Sequence, residues 1–154
     1  MRPFVTELAR RVAIHGVDTV CGPLNGGAFL AELMALELGV EFAFAERSLS
    51  QRPGLFPVDY RVPPALRAAL RGKRVAIVDD AISMGSAVRA TVADLEGCDA
   101  TPVVIGALLA MGRGGPEFAA ARHLPFERLA DLPLRTWPPL ECQLCATGIP
   151  VADP

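Results

Sequence analysis

The sequence predicts an α/β domain, a parallel sheet flanked by helices. Short β-prone runs alternate with helical runs along the chain, the order that places helices on both faces of such a sheet. Hydrophobic residues make up 51% of the chain but aromatic ones only 6%, so the core must come from Ala, Val, Leu and Ile, the composition of buried parallel strands. Two β-prone runs also end in small-residue loops, "CGPLNGG" and "DDAISMGSA". In sheets of this kind ligands bind beyond the carboxyl ends of the strands. At 154 residues the chain is expected to form one domain, 1–154, with a Pro- and Cys-containing tail from about residue 132.

Phe4 to His15 reads as an amphipathic helix, with Phe4, Leu8, Val12 and Ala13 on its apolar side. Val17 to Cys21 is a first strand. Ala28 to Leu38 is helical and apolar nearly all round, which predicts a mostly covered helix ended by Gly39. "VEFAFA" is a second strand. Arg47 to Pro64 has no clear period and several prolines, so it reads as a long loop, and long loops in compact domains usually serve function. "ALRAALRG" is a short helix stopped by Gly72, and Val75 to Val78 a third strand. The helix after it carries Val88, Val92 and Leu95 as an apolar stripe, and "TPVVIGALLA" is a fourth strand bounded by a "GRGGP" turn.

The net charge of −2 gives no basic excess, which argues against a dedicated nucleic-acid binder. No apolar run is long enough to span a bilayer and no signal-peptide core is seen, so a cytoplasmic protein without membrane association is expected. Lys73 is the only lysine, so any anion site must use Arg, Lys73 or backbone N–H groups.

The run "RVAIVDDAISMGSAVRATV" places two adjacent acids, Asp79 and Asp80, directly after four apolar residues. Packing does not account for such a pair. The following loop opens a helix, and free N–H groups at a helix start bind phosphate without a lysine. Ser83 and Ser86 add hydroxyls, and Gly85 permits close approach. The acids would repel the same phosphate, but they suit sugar hydroxyls a few ångströms away, or a magnesium ion. Phosphate beside a diol describes a ribose 5-phosphate. The bland alternative is a capped turn in which Asp80 and Ser83 serve backbone groups.

This pattern resembles the ribose-phosphate signature of the type I phosphoribosyltransferases, and the similarity covers most of the chain. It is closest to orotate phosphoribosyltransferases of a compact bacterial branch. "GPLNGGAFLAELMALELGVEFAFAER" is similar to that family's pyrophosphate loop, helix and next strand, and "ECQLCATGIPV" to the branch's C-terminal tail. The resemblance implies that Asp79 and Asp80 hold the ribose hydroxyls, and that Ala81, Ile82, Ser83, Met84, Gly85, Ser86 and Ala87 form the phosphate-binding segment. It further implies that Leu24, Asn25, Gly26 and Gly27 receive pyrophosphate, and that a loop over Arg47–Tyr60 closes on the reacting centre, with Arg47 supplying charge. The implied reaction transfers phosphoribose from phosphoribosyl pyrophosphate, with Mg2+, to a nitrogenous base in pyrimidine nucleotide synthesis or salvage. A homodimer is implied as well, and the apolar Phe29, Phe42 and Phe44 region marks a candidate interface.

The chain departs from the orotate pattern in its base half. The N-terminal hood segment over the base is apparently missing. Ala110-Met111 stand where the family carries Asp-Arg, with Arg113 shifted by two positions. Glu46-Arg47 and Asn25-Gly26 replace loop lysines, leaving Arg47 and Arg52 as candidate charges.

Cys142 and Cys145 have metal-ligand spacing but supply only two of the four ligands of a tetrahedral zinc site. Cys21, Cys98, His123 or a second subunit would have to complete it; otherwise the pair is a tail turn held by buried thiols. His15 is expected to serve the end of the first helix and His123 to lie on the surface. Two functions compete: a phosphoribosyltransferase, and a non-catalytic regulatory protein that binds phosphoribosyl pyrophosphate or a nucleotide.

Overall fold

The computed structural model describes residues 1–49, 58–134, 137 and 139–148. Six strands form one sheet in the order β3-β2-β1-β4-β5-β6. β1 (Thr19–Pro23), β2 (Glu41–Leu49), β4 (Arg74–Ile82), β5 (Thr101–Met111) and β6 (Phe126–Leu132) are parallel, and β3 (Val58–Arg61) runs antiparallel to β2. The helices are α1 (Arg2–Ala13), α2 (Gly26–Leu38), α3 (Pro64–Leu70), α4 (Ser86–Glu96), α5 (Gly114–Ala121) and α6 (Gln143–Ala146).

Alternation along the central strands builds two half-cores. Val20, Ala76, Val78 and Val104 face one side, where they meet Leu8 and Val12 of α1 and Leu30 and Met34 of α2. Cys21, Val75, Ile77 and Ile105 face the other, against Leu70 of α3, Val88, Val92 and Leu95 of α4, and Ala119 of α5. Both faces of the sheet are covered, so near-continuous apolar runs are the only ones these strands can carry.

Several elements differ from the sequence reading. The buried face of α1 is Val5, Leu8, Ala9 and Val12, with Phe4 and Ala13 outside. α2 is not covered all round: Phe29, Leu33 and Leu36 are 66%, 45% and 75% exposed along its outer side. The segment read as one long loop holds the end of β2 and all of β3, which pair as a hairpin from Glu46↔Arg61 to Leu49↔Val58. Residues 50–57, including Arg52, lie outside the described residues. The "GRGGP" turn opens α5, and β6 follows it. His15 does not cap α1; its Nε2 lies 2.9 Å from Glu127 Oε1 on β6.

Candidate active site

Two loops meet at the carboxyl edge of the central strands. β4 carries Asp79 and Asp80 within the strand, not after it, and ends at Ile82. Neighbouring β1 ends at Pro23, and Leu24 and Asn25, joined by a cis peptide bond, lead directly into α2. Leu24 is held on both sides: its N–H donates to the Ala45 carbonyl at 2.8 Å, and its own carbonyl accepts from the Tyr60 hydroxyl at 3.3 Å.

The start of α2 presses against the acids. A Cβ built on Gly26 would stand 2.6 Å from the Asp80 carboxylate, and one on Gly27 would stand 2.8 Å from Asp79 Oδ1. Only residues without a side chain allow this approach. The first amides of α2 have no intrahelical acceptor, and the Asn25 side chain does not cap them. A positive helix end therefore faces the acid pair, ready for an anion beside it.

Burial, reinforced by hydrogen bonding and repulsion from the neighbouring Asp80, pushes the Asp79 carboxyl up to about 8. The Asp80 N–H donates to Asp79 Oδ1 and the Ala81 N–H to Asp80 Oδ1, each at 3.0 Å, which fixes both side chains against the strand.

Beyond Ile82, Ser83 to Gly85 form a loop that ends in the left-handed conformation at Gly85 (φ 74°), and α4 begins at Ser86. A cavity of about 390 Å³ opens here. It is bordered by Asp79, by the segment from Ala81 to Val88, and by Arg47 and Tyr60 from the β2–β3 hairpin, where the last two are paired in register. Asp79, the segment from Ala81 to Val88 and Arg47 thus border one cavity, whereas Asp80 lies outside its lining, against Gly26 of the Leu24–Gly27 loop.

Other candidates lie elsewhere. Lys73, at the amino edge of the sheet, pairs with Glu41 at 3.3 Å, so the only lysine is not part of this site. Arg113 is 88% exposed and paired with Glu117 at 2.9 Å. Cys21 and Cys98 are buried in the core, which removes them as partners for Cys142 and Cys145. Cys142 caps α6 through its thiol, which accepts the Cys145 N–H at 3.4 Å; the pair therefore sits at a helix start and its thiols are not buried. Among the described residues no three His, Cys, Asp or Glu side chains cluster as a metal site. Sequence reasoning did not single out Tyr60, which borders the cavity, or Arg89, which contacts the loop before α4 through the Met84 carbonyl. Tyr60 is the only tyrosine, and Arg89 follows Gly85 by one helical turn, the signals that would have pointed to them.

Residues 5–121 match the family model of the phosphoribosyl transferase domain. The chain belongs to the phosphoribosyltransferase family, a class of glycosyl-transferring enzymes. It is 32% identical to the orotate phosphoribosyltransferase of Thermotoga maritima, over 96% of this chain and 72% of that one. It is 29% identical to that of Caldanaerobacter subterraneus, over 98% and 73%. Among solved structures, adenine phosphoribosyltransferase from Thermoanaerobacter pseudethanolicus superposes with a TM-score of 0.71 at 18% identity, covering 85% of this chain and 79% of that one. Orotate phosphoribosyltransferase from Aeropyrum pernix gives 0.65 at 21%, covering 85% and 71%. These two share the fold.

Proposed function

We propose that the protein transfers phosphoribose from phosphoribosyl pyrophosphate to a nitrogenous base, releasing pyrophosphate. The observation that supports this is the close approach of Gly26 and Gly27, at the start of α2, to Asp80 and Asp79. The phosphate loop, Ser83 to Ala87, receives the 5-phosphate on its amides and hydroxyls. Asp79 and Asp80 hold the ribose hydroxyls. Leu24 to Gly27 receive the pyrophosphate, so the anomeric carbon lies between the two anion sites.

As the bond to pyrophosphate breaks, positive charge develops on the sugar. The acid pair stabilises that charge, while the first turn of α2 and Arg47 stabilise the departing anion. Asp79 and Asp80 are the hard oxygen donors that would hold a magnesium ion bound with the pyrophosphate, and such an ion would supply charge neutralisation of the leaving group. The β2–β3 hairpin, with Arg47 and Tyr60 at its base, excludes water from the centre.

The acceptor we propose is a planar base without a carboxylate. Met111 ends β5 where a cation would be needed, and Arg113 is engaged with Glu117. The relatives' names make orotate the first base to compare. Kinship with enzymes over nearly the whole chain favours catalysis over a purely regulatory binding role. The proposal extends to a second copy docked on the exposed apolar side of α2 and to a cytoplasmic setting. No helix among the described residues is long and apolar enough to cross a membrane.

The test is incubation with phosphoribosyl pyrophosphate, magnesium and a panel of purine and pyrimidine bases. Nucleotide and pyrophosphate formed in equal amounts are expected with at least one base. Binding of phosphoribosyl pyrophosphate without turnover of any base would favour the regulatory alternative.

A further inference from the structure

One side chain ties the phosphate loop to the turn after β5. Arg89 lies one turn into α4. Its Nη2 donates to the Gly114 carbonyl at 3.0 Å and its Nε to the Met84 carbonyl at 3.4 Å, and its guanidinium lies 4.6 Å from the centre of the Phe118 ring. The two backbones it bridges are already in contact. A Cβ on Gly114 would stand 2.7 Å from Met84 Cα and 2.9 Å from the Ser83 carbonyl oxygen, and one on Gly115 would stand 2.5 Å from Ile82 Cγ2.

A trans peptide unit is planar, so its carbonyl and its N–H point in opposite directions. Holding the Met84 carbonyl against Arg89 therefore sets the direction of the Gly85 N–H, and Gly85 borders the cavity. Gly85 carries no side chain, and the backbone of Gly114 and Gly115 packs against the loop from Ile82 to Gly85. A planar cation stacked on an aromatic face is a rigid support, because its fork is preorganised and the ring restricts its rotation.

We infer that Arg89 is the positioning residue of the phosphate loop: its guanidinium, stacked on Phe118, holds the Met84 carbonyl so that the Gly85 N–H is aimed at the 5-phosphate, and its bond to Gly114 locks the loop to the β5–α5 turn. This rests on the phosphate reading of the Ser83–Ala87 loop. Arg89 acts through the backbone, so geometry and not charge alone is decisive.

The test measures ribose 5-phosphate and inorganic pyrophosphate binding by calorimetry in the wild type and in R89A, R89K and F118L. R89A is expected to weaken ribose 5-phosphate by about tenfold or more, the loss of one charge-assisted hydrogen bond, with pyrophosphate changed by less than about twofold since its loop is held by Ala45 and Tyr60. R89K keeps the charge and the stem and is expected to lose nearly as much, which keeps the test decisive if R89A does not fold. F118L is expected to fall between the wild type and R89A, and added guanidinium ion to restore part of the R89A loss. Wild-type affinity in R89K, or equal losses for both ligands, would overturn the inference while leaving the site reading intact. Absence of ribose 5-phosphate binding in the wild type would overturn both.

Discussion

Gly26 and Asp80 are in contact across two chain segments: a Cβ on the glycine would come within 2.6 Å of the carboxylate. Replacing Gly26 by Ala is expected to push the Asp80 side chain from its position while leaving the fold nearly intact, because the obstructing atoms belong to a side chain at the surface. Gly27→Ala meets the Val78 carbonyl and the Pro23 ring, at 2.8 and 2.7 Å, so the backbone itself must move. That overpacking is expected to cost about 1–3 kcal/mol. Thermal melts and ribose 5-phosphate titrations of the two variants separate the effects; a G26A protein that melts far below G27A and binds normally would contradict this.

Asp79→Asn with Asp80→Asn is expected to weaken ribose 5-phosphate far more than inorganic phosphate. Each net hydrogen bond from a sugar hydroxyl contributes about 0.5–1.5 kcal/mol, or about two- to tenfold in affinity. Equal losses for both ligands in calorimetry would remove the acids from the ribose.

Orotate is an anion, and burying its carboxylate without a cation is costly. With Met111 at the end of β5 and Arg113 paired to Glu117, turnover of orotate is expected to be weak, and what remains is expected to fall further in Arg113→Ala. Steady-state kinetics decide. Ordinary efficiency that survives the substitution would show that the base pocket is built differently.

Phe29, Leu33 and Leu36 line the outer side of α2, and nearby Phe42 and Phe44 stack with ring centres 6.0 Å apart. Contiguous apolar surface of this kind usually marks an interface. A dimer is expected in light scattering at micromolar concentration, with Phe29→Glu and Leu36→Glu together shifting it toward 16.3 kDa. A monomeric wild type would refute the interface.

The four thiols divide into two classes. Burial pushes Cys21 up from 9.0 to about 12, whereas Cys142 is lowered by the N–H groups of its own turn. A thiol reagent should reach Cys142 first in the native protein, then exposed Cys145, whose thiol is pushed up by its hydrogen bond with Cys142, and Cys21 and Cys98 only on unfolding. The sign for stability follows: the contribution of Cys21 is intact below about pH 9 and is lost as pH rises toward 12. If the exposed pair holds zinc, protein purified without chelators should carry it, and Cys142→Ser or Cys145→Ser should release it. Metal-free protein of full stability would leave the pair as a tail turn.

The arrangement of the Asp79–Ala87 segment was legible in sequence because it is local. Acids, loop glycine and helix start are contiguous from Asp79 to Ala87, and the fold brings them together with little help from elsewhere. The hairpin was not legible, since prolines between Arg47 and Pro64 mask the pairing of Arg47 with Tyr60. α5 was hidden for a related reason: Gly114, Gly115 and Pro116 read as a turn, yet the first helical turn tolerates a residue with no N–H to donate. The phase of α1 was misread because Phe4 is apolar but 59% exposed, and composition alone does not say which of two adjacent apolar residues turns inward. Arg89 and Gly114 are far apart in sequence, so their contact belongs to the fold alone.

Lys73, bound to Glu41, lies at the amino edge of the sheet, opposite the edge where Arg47 borders the cavity. Acetylation and other acylations of lysine act by removing an amine's charge, and at Lys73 that change would fall away from the cavity. Amine-directed reagents and tethers would therefore meet this chain's lysine chemistry on the side away from substrate. Dicarbonyls that attack guanidinium groups would reach Arg47 at the cavity mouth, and substrate would shield it.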